Sequence, residues 1–304
     1  MGSCGSKSVF EDAKLEDFEL MGVIGKGRYG TVYKAVHRNS KVVLALKEVP
    51  QYHMLKTQQN DQKILSKLSD PFIANLHSGF ESKESVYLVL DYLSGCNLRE
   101  YLDKNPEVSE IELQFMAACI VRALDYLNKR GVIHKDLKPE NLSFDKKGYL
   151  ILTDFGLAQT VKNLVPSSSG TLLYMAPEVL FCQNYSNTAD IFSLGVILFE
   201  IIEKTKPFLA GSRAELMNSY LHNKVKFSSQ AYGKDAVDFV DKCLIKNSEK
   251  RLGSAGFAEV KKHAWFTGFN WSQLEMFEMP SPCSNFHKRP SQQIKGFIQT
   301  LKTQ

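Results

Sequence analysis

Short runs in which hydrophobic and polar residues alternate occupy the first third of the chain and predict β-strands. They are rich in valine and contain few residues that break strands. The predicted strands cover residues 18–24, 31–37, 42–49, 73–80 and 85–91. Residues 52–68 instead have helical spacing, with Ile64, Leu65 and Leu68 on the inner face. A small sheet with one helix is therefore expected in this part of the chain.

Longer helical patterns follow the strands. Ser109 precedes Glu112 by three residues, a capping box that predicts the start of a long helix, and Gly131 predicts its end. Residues 191–202 are mostly apolar and predict a buried helix that is too short to span a bilayer. Between these helices, two short strands are predicted, with a turn over residues 145–148.

Composition excludes several classes of protein. A chain of 304 residues with 43% hydrophobic residues can bury one large or two ordinary cores, so two lobes are expected. The net charge of +5 arises from scattered Lys and Arg, which does not indicate nucleic-acid binding. The six cysteines are far apart in the sequence, and no two of them form a C-x-x-C pair. Neither a zinc site nor a disulfide framework is therefore predicted. The first residues lack an apolar signal core, and a cytoplasmic location is expected.

A glycine-rich stretch lies between the first two predicted strands and contains Gly25, Gly27 and Gly30. The spacing G-x-G-x-x-G alone is shared by dinucleotide-binding folds, in which it opens a helix. Here the stretch leads directly into a predicted strand at Val32, which favours a flap whose backbone amides close over phosphates.

A cluster of polar residues lies on two loops separated by the predicted hairpin. Asp154 and Asn141 offer oxygen ligands that suit Mg²⁺, and Lys138 offers a cation for a transferring phosphoryl group. Asp136 offers a carboxylate to an incoming hydroxyl group. The cluster therefore predicts a phosphoryl transferase.

These motifs resemble those of the protein kinases, in order along residues 18–268. A lysine two residues after the catalytic aspartate, here Lys138 after Asp136, resembles the pattern of the serine/threonine branch. The motifs around Arg251 and Trp265 resemble those of the AGC group, the cyclic-nucleotide-dependent kinases. The resemblance implies an α+β, bilobal fold with a β-rich lobe over residues 18–92 and a helical lobe over 93–270. A flexible segment, 1–17, and a short tail, 271–304, would flank a catalytic domain expected to be monomeric.

The resemblance also implies ATP and Mg²⁺ as cofactors and proteins as substrates. Asp136 and Lys138 would be the catalytic residues, and Asn141 and Asp154 the metal ligands. The expected nucleotide-binding residues, including the lysine of the third strand and its acidic helix partner, are Ile24, Gly25, Gly27, Gly30, Val32, Ala45, Lys47, Asp61, Asp91, Leu93 and Ser143.

Three residues depart from the pattern of these relatives. Asp61 stands where a glutamate is usual, and its shorter side chain loosens the expected ion pair with Lys47 or requires the helix to move inward. Lys135 replaces an arginine between the histidine and the catalytic aspartate, and a lysine grips phosphate as a point charge only. Ser143 replaces a leucine beneath the adenine.

Regulation is expected in the loop over residues 154–178. By the same resemblance, Ser167 takes the position of the regulatory phosphothreonine, four residues before Thr171, and both residues are predicted to be regulatory. Asp190 is expected to cap the buried helix and to fix the backbone of the catalytic loop. Arg251 is expected to form a buried ion pair with Glu178.

Glu140 and Glu200 are assigned to substrate binding, because they stand where related kinases bind the substrate arginines that precede the acceptor residue. Asn97 stands where these kinases have a third acid. A moderate preference for basic sites follows. At the N-terminus, Gly2 fits the pattern for myristoylation and Cys4 for palmitoylation, which would bring the protein to a membrane surface. The alternative is an unmodified terminus of small residues.

Two further classes of function compete with an active serine/threonine kinase. A pseudokinase scaffold that binds nucleotide is favoured by Asp61, Lys135 and Ser143, whereas the complete set of phosphate, metal and catalytic residues favours the enzyme. A kinase acting on small molecules is disfavoured by the segment from Gly170 to Glu178, which resembles the peptide-binding ledge of protein kinases.

Overall fold

The computed structural model of the chain describes residues 13–27, 30–51, 58–163 and 169–286, and for residues 58–61 and 163 it describes the backbone alone. An antiparallel five-stranded sheet forms the first lobe, in the order β1-β2-β3-β5-β4. Its strands are β1 (Phe18–Gly27), β2 (Gly30–His37), β3 (Val43–Pro50), β4 (Leu76–Glu81) and β5 (Ser85–Asp91). One face buries a small core made by Phe18, Tyr33, Ala35, Leu44, Leu46, Tyr87 and Val89.

The helix of this lobe, α1, spans Gln58–Leu65 within the described part of the chain. It was expected over 52–68, of which residues 52–57 lie outside the described part. Ile64 and Leu65 are buried, as expected from their spacing, and pack with the larger core. The chain leaves the helix after Leu65, before the third expected inner residue, Leu68, which is also buried.

The fourth strand begins three residues later than its sequence pattern predicts. Ile73 instead forms an isolated bridge with Leu152 of the helical lobe. Asn75 turns its side chain to the Asp70 carbonyl and to the Asp91 carboxylate, at 3.1 and 2.8 Å. These contacts with other elements keep the residues before Leu76 out of the sheet ladder.

Helices make up most of the second lobe, around a large hydrophobic core. The helices are α2 (Leu98–Lys104), α3 (Glu110–Lys129), α4 (Pro177–Leu180), α5 (Thr188–Glu203), α6 (Arg213–His222), α7 (Lys234–Cys243), α8 (Phe257–Lys261) and α9 (Trp271–Glu275). Helix α3 begins with the predicted capping box, in which Ser109 Oγ accepts a hydrogen bond from the Glu112 amide and the Glu112 carboxylate accepts one from the Ser109 amide. After this helix, Gly131 adopts φ +64°, which suits a glycine.

Short strands in this lobe position the loops of the site. They are β6 (Val132–Ile133), β7 (Leu142–Phe144), β8 (Leu150–Leu152) and β9 (Gln159–Thr160). Strands β7 and β8 form the predicted hairpin, and Asp145 Oδ1 accepts the Lys147 and Tyr149 amides at 2.7 and 2.9 Å in its turn. Phe277, after α9, stacks on Tyr149 with ring centroids 4.3 Å apart, so the segment after α9 packs on this hairpin.

The architecture confirms the predicted α+β fold, with an antiparallel β-rich lobe and a helical lobe. Helix α5 extends the predicted buried helix by a few residues at its N-terminal end and one at its C-terminal end. Within the described ranges, no helix combines the length and apolar character needed to cross a membrane.

Candidate active site

A cavity of about 700 Å³ lies between the sheet and the helical lobe. The residues of the sequence prediction that line it are Ile24, Gly25, Gly27, Gly30, Val32, Ala45, Lys47, Asp91, Leu93, Asp136, Lys138, Glu140, Asn141, Ser143, Asp154 and Thr171. A larger groove, of about 860 Å³, shares two of these residues but contains none of the predicted catalytic or metal-binding residues. The smaller cavity is therefore the candidate active site, because it contains the predicted catalytic and metal-binding residues.

Asp190 fixes the backbone of the catalytic loop, residues 134–141. Its carboxylate accepts the amides of His134 and Lys135 at 2.8 and 2.9 Å. Lys135 adopts φ +69°, a strained conformation for a residue with a side chain, and these charge-assisted hydrogen bonds stabilise it. Burial raises the pKa of Asp190, and the charge of His134 and the two amides partly offset this effect.

The expectation that Asp190 fixes the loop is thus confirmed, but the expectation that it caps the buried helix is wrong. Asn187 is the residue that precedes α5, and Asp190 lies within its first turn. Both carboxylate oxygens of Asp190 accept the two loop amides instead.

Asp136 is surrounded by donors that hold its carboxylate in one orientation. Its Oδ2 accepts Lys138 Nζ at 2.7 Å and Asn141 Nδ2 at 3.1 Å. Its Oδ1 accepts the amide and the hydroxyl of Thr171 at 2.9 and 2.8 Å. Lys138 Nζ also donates to the Thr171 hydroxyl at 2.9 Å, which closes a three-residue ring of hydrogen bonds. The Thr171 hydroxyl thus lies between the Asp136 carboxylate and Lys138 Nζ. A hydroxyl group therefore fits at this carboxylate, as general-base catalysis requires.

Lys47 lies on β3 and forms an ion pair with Asp154, with Nζ and Oδ1 2.8 Å apart. The charge of Lys47 lowers the pKa of Asp154 to about 2, against the opposing effect of burial. Asp154 adopts φ +57°, at the turn after β8. The partner expected for Lys47 was Asp61, whose backbone lies in α1 but whose side chain is not among those described.

Asn141 and Asp154 have the donor atoms that a magnesium ion requires. Asn141 Nδ2 donates to the carbonyl and the carboxylate of Asp136, at 2.8 and 3.1 Å, which leaves the amide oxygen as the ligand atom. Asp154 supplies an ionised carboxylate. Magnesium is usually held by one or two carboxylates together with substrate phosphates, so the residues fit this ion.

The part of the cavity expected to hold the nucleotide combines apolar walls with glycine backbone. A Cβ atom added to Gly30, which has φ +140°, would lie 1.9 Å from the Glu48 carbonyl, so only glycine fits there. Asp91 lines the cavity, but its carboxylate binds His77 Nε2 at 2.7 Å and Asn75. These hydrogen bonds hold the pKa of Asp91 below its ordinary value, although burial opposes them. Asp91 therefore offers its backbone rather than its side chain to a nucleotide.

The segment after Asp154 is anchored at two points besides Thr171. Lys135 Nζ donates to the Ser169 hydroxyl at 3.0 Å and lies 5.2 Å from the centre of the Tyr185 ring. Burial lowers the pKa of Lys135 to about 8. At the end of the segment, Glu178 forms the predicted buried ion pair with Arg251, with both carboxylate oxygens bonded, at 2.6 and 2.8 Å.

The two glutamates assigned to substrate binding share one cation of the protein itself. Arg99 Nε lies 3.3 Å from Glu140 Oε1, and Arg99 Nη2 lies 2.9 Å from Glu200 Oε1. Glu200 also accepts Lys206 Nζ at 2.7 Å and the Tyr174 hydroxyl at 2.6 Å. These three partners were not predictable from the sequence, because no local pattern links positions on four separate segments.

Several predicted residues lie outside the part of the chain that the structure describes. They are Gly2 and Cys4, expected to be acylated, and Ser167, expected to be phosphorylated. Their assignments stay predictions.

A two-lobed α+β fold whose cavity combines a glycine-rich strand connection, a lysine, a carboxylate and candidate metal ligands is typical of kinases. The sequence agrees with the class at the level of family, because residues 18–266 match the family described as Protein kinase domain. The chain therefore belongs to the protein kinase domain family, which uses ATP with Mg²⁺, and the resemblance seen in its motifs is confirmed.

Curated relatives that resemble the chain are named as serine/threonine kinases. A probable serine/threonine-protein kinase of Dictyostelium discoideum is 34% identical over 276 residues, which are 88% of this chain and 60% of the relative. The serine/threonine-protein kinase AtPK1/AtPK6 of Arabidopsis thaliana is 36% identical, with coverage of 88% and 59%. The cAMP-dependent protein kinase catalytic subunit of D. discoideum is 31% identical, with coverage of 86% and 41%. The chain thus spans about three fifths or less of the length of these relatives.

Proposed function

We propose that the chain is an ATP-dependent protein serine/threonine kinase, which transfers the γ-phosphoryl group to Ser or Thr hydroxyls of protein substrates. The observation that carries this proposal is the Asp136 carboxylate, fixed by Lys138, Asn141 and Thr171 beside the Lys47–Asp154 pair. Such an arrangement aligns an acceptor hydroxyl with a phosphoryl donor before any reaction takes place.

Each residue of the cavity has a distinct role in this mechanism. Asp136 orients the acceptor hydroxyl and accepts its proton, a role that typically contributes about 10²–10⁴ in rate. Lys138, whose Nζ donates to the Thr171 hydroxyl beside Asp136, would compensate charge on the transferring group. Asn141 and Asp154 would hold Mg²⁺, which neutralises charge on the phosphates when it is bound. Lys47 would exchange part of its contact with Asp154 for phosphate oxygens.

We also propose that the enzyme prefers acceptor sites that contain basic residues. Glu140 belongs to the short 3₁₀ turn Pro139–Asn141, directly between the catalytic lysine and a metal ligand, and it lines the cavity. Glu200 lies on α5 and reaches the same region through Arg99. Carboxylates at this position attract arginine or lysine side chains of a peptide.

The central test measures ³²P transfer from Mg-ATP to a basic serine peptide. Asp136→Asn is expected to lower kcat by about 10²–10⁴ because it removes the proton acceptor. The matched control is Asp103→Asn, the same change at an exposed position of α2, which should behave as wild type. Equal rates for wild type and Asp136→Asn would refute the catalytic assignment. Nucleotide binding by a wild type that transfers nothing would favour a pseudokinase scaffold instead.

Acylation of the N-terminus is a separate proposal, which rests on the sequence pattern at Gly2 and Cys4. A single myristoyl chain binds membranes only marginally, so stable anchoring needs the second site. Cells fed an alkyne-tagged myristate should label wild type but not Gly2→Ala, and Cys4→Ser should keep the label while losing stable membrane association. A wild type that takes up no label, beside a labelled positive control, would remove this proposal and the membrane-associated location with it.

A further inference from the structure

Arg99 lies between the carboxylates of Glu140 and Glu200, the two residues to which the proposed function assigns substrate binding. Its guanidinium donates to Glu200 and to the Tyr174 hydroxyl through Nη2, at 2.9 and 2.8 Å, and to Glu140 through Nε, at 3.3 Å. A guanidinium that bridges two carboxylates is the arrangement that a bound arginine of a substrate would adopt. The side chain comes here from the protein itself, at the second position of α2.

This cluster adjoins the catalytic loop at two independent points. Glu140 lies two residues after Lys138 and lines the active-site cavity. Tyr174 ends the 3₁₀ turn Leu172–Tyr174, which follows directly on Thr171, the residue bonded to Asp136. An acceptor peptide that places its hydroxyl at Asp136 therefore passes close to Arg99.

The charges of the cluster balance without any ligand. Glu140 and Glu200 carry two negative charges, and Arg99 and Lys206 carry two positive ones. Burial opposes ionisation of Glu200, but hydrogen bonds from Lys206 and Tyr174 and the charges of Lys206 and Arg99 lower its pKa below the ordinary value. The cluster is therefore formally neutral, which weakens but does not abolish its attraction for a basic side chain of a substrate.

The two arms of the bridge differ in their access to solvent. The Glu200 side chain is 14% exposed, whereas that of Glu140 is 45% exposed and its contact with Arg99 is the longest of the three. Contacts exposed to water contribute little to stability. Arg99 is thus held mainly by Glu200 and Tyr174, and a competing guanidinium can approach from the Glu140 side.

We propose that Arg99 is a specificity-determining residue, an internal arginine that occupies the site offered by Glu140 and Glu200 and so weakens selection for substrate arginine. This inference rests on the proposed kinase function. An arginine of the substrate gains the two carboxylates only in the fraction of molecules from which Arg99 has moved away, which reduces its apparent affinity by that fraction. Removal of the Arg99 side chain therefore turns a moderate preference for basic residues into a stronger selection for arginine.

The test compares two serine peptides that differ only in one residue before the acceptor, arginine or alanine, with the substitution moved through each preceding position. The quantity measured is the ratio of kcat/KM for the arginine peptide to that for the alanine peptide. For Arg99→Ala the best ratio should rise about tenfold or more over wild type through a lower KM, because charge-assisted hydrogen bonds to two carboxylates become available. The kcat/KM of the alanine peptide should change much less, because alanine has no cation to place between the two carboxylates.

Two further variants make the result specific. Arg130→Ala is the matched control: it removes an exposed arginine at the end of α3, whose guanidinium lies 5.2 Å from the Tyr126 ring, and it should leave the ratio unchanged. Arg99→Ala combined with Glu200→Gln should lose the gain, because the uncovered carboxylate is then absent. If Arg99→Ala does not fold, Arg99→Met retains the aliphatic stem and carries the same comparison.

The outcomes separate this inference from the function on which it rests. Absence of phosphate transfer to either peptide by wild type and by every variant would refute the proposed function. Transfer with equal ratios for wild type and Arg99→Ala, or a change of both peptides by the same factor, would overturn the role of Arg99 and leave the kinase function intact.

Discussion

Two ion pairs of similar chemistry occupy different environments in this protein. Arg251 and Glu178 have side chains that are 0% and 5% exposed, and further hydrogen bonds of Arg251 go to the carbonyls of Thr188, Ile245 and Lys246. Lys47 and Asp154 are 11% and 37% exposed, and Asp154 faces the active-site cavity. The first pair has its hydrogen-bonding groups satisfied inside the protein, whereas the second can exchange contacts with a ligand.

The difference distinguishes a charge that holds the fold from a charge that serves the reaction. A buried pair contributes to stability mainly through the penalty for losing one partner, since the remaining charge is left without water. A pair at a cavity wall can be rehydrated when one partner is removed, so its loss affects ligand binding more than folding. Four predictions test this separation.

Arg251→Met should have the largest effect on stability, because it leaves the Glu178 carboxylate buried and unpaired. We expect the free energy of unfolding to fall by about 3–5 kcal/mol, measured by urea denaturation. Lys242→Met is the matched control, since Lys242 pairs with Asp238 at the surface of α7 and should change stability by about 1 kcal/mol or less. Equal losses in the two variants would contradict the structural role of the buried pair.

Lys47→Met should lower kcat/KM for Mg-ATP by about 10²–10³, since it removes a fixed cation from the phosphate site. Its free energy of unfolding should change by only about 1 kcal/mol, because Asp154 can be hydrated from the cavity. Lys34→Met is the control on the adjacent strand, where Nζ lies 5.1 Å from the centre of the Tyr92 ring. A loss of stability as large as that of Arg251→Met would remove the distinction between the two pairs.

Lys135 is a third buried cation, and its contribution to the free energy of unfolding should depend on pH. Its pKa is lowered by burial from 10.5 to about 8, so between these values the unfolded chain binds the proton more strongly than the folded protein does. The stability of wild type relative to Lys135→Met should therefore rise across this range by about 3 kcal/mol. Parallel curves of unfolding free energy against pH for the two proteins would show that burial does not shift the proton affinity of Lys135.

Asp154 should give the smallest effect, in the acid range. Its pKa of about 2 is depressed from 3.8, so the stabilising contribution of the pair is present above the higher value and is lost as pH falls through the lower one. In Lys47→Met the pKa of Asp154 should move up, which a carboxyl ¹³C NMR titration measures directly. An unchanged titration midpoint would show that Lys47 does not set the charge of Asp154.

Features set by neighbouring residues were largely predictable from the sequence. The capping box at Ser109, the turn at Asp145 and the glycine at position 131 each depend on contacts within a few residues, and the structure contains all three. The family and the α+β fold also followed, because the glycine-rich stretch and the catalytic loop recur at fixed spacing in order along the chain.

Details that depend on packing between elements were harder to predict. The strand pattern continues through residues 73–80, yet the ladder begins at Leu76 because Ile73 and Asn75 are engaged by other elements. The sequence likewise suggested a cap at Asp190, whereas the buried carboxylate bonds a loop 55 and 56 residues earlier in the chain. In both cases a tertiary contact outweighed a local preference.

The sequence by itself determined which groups the site contains: the phosphate-binding glycines, the lysine on β3, and the loop that carries Asp136 and Asn141. Only the tertiary structure decided how the charges pair, with Lys47 bonded to Asp154, 107 residues away, and Arg99 bonded to Glu200, 101 residues away. The physical reason is that backbone conformation responds to adjacent residues, whereas a long charged side chain binds whichever partner the packing of distant elements brings within reach.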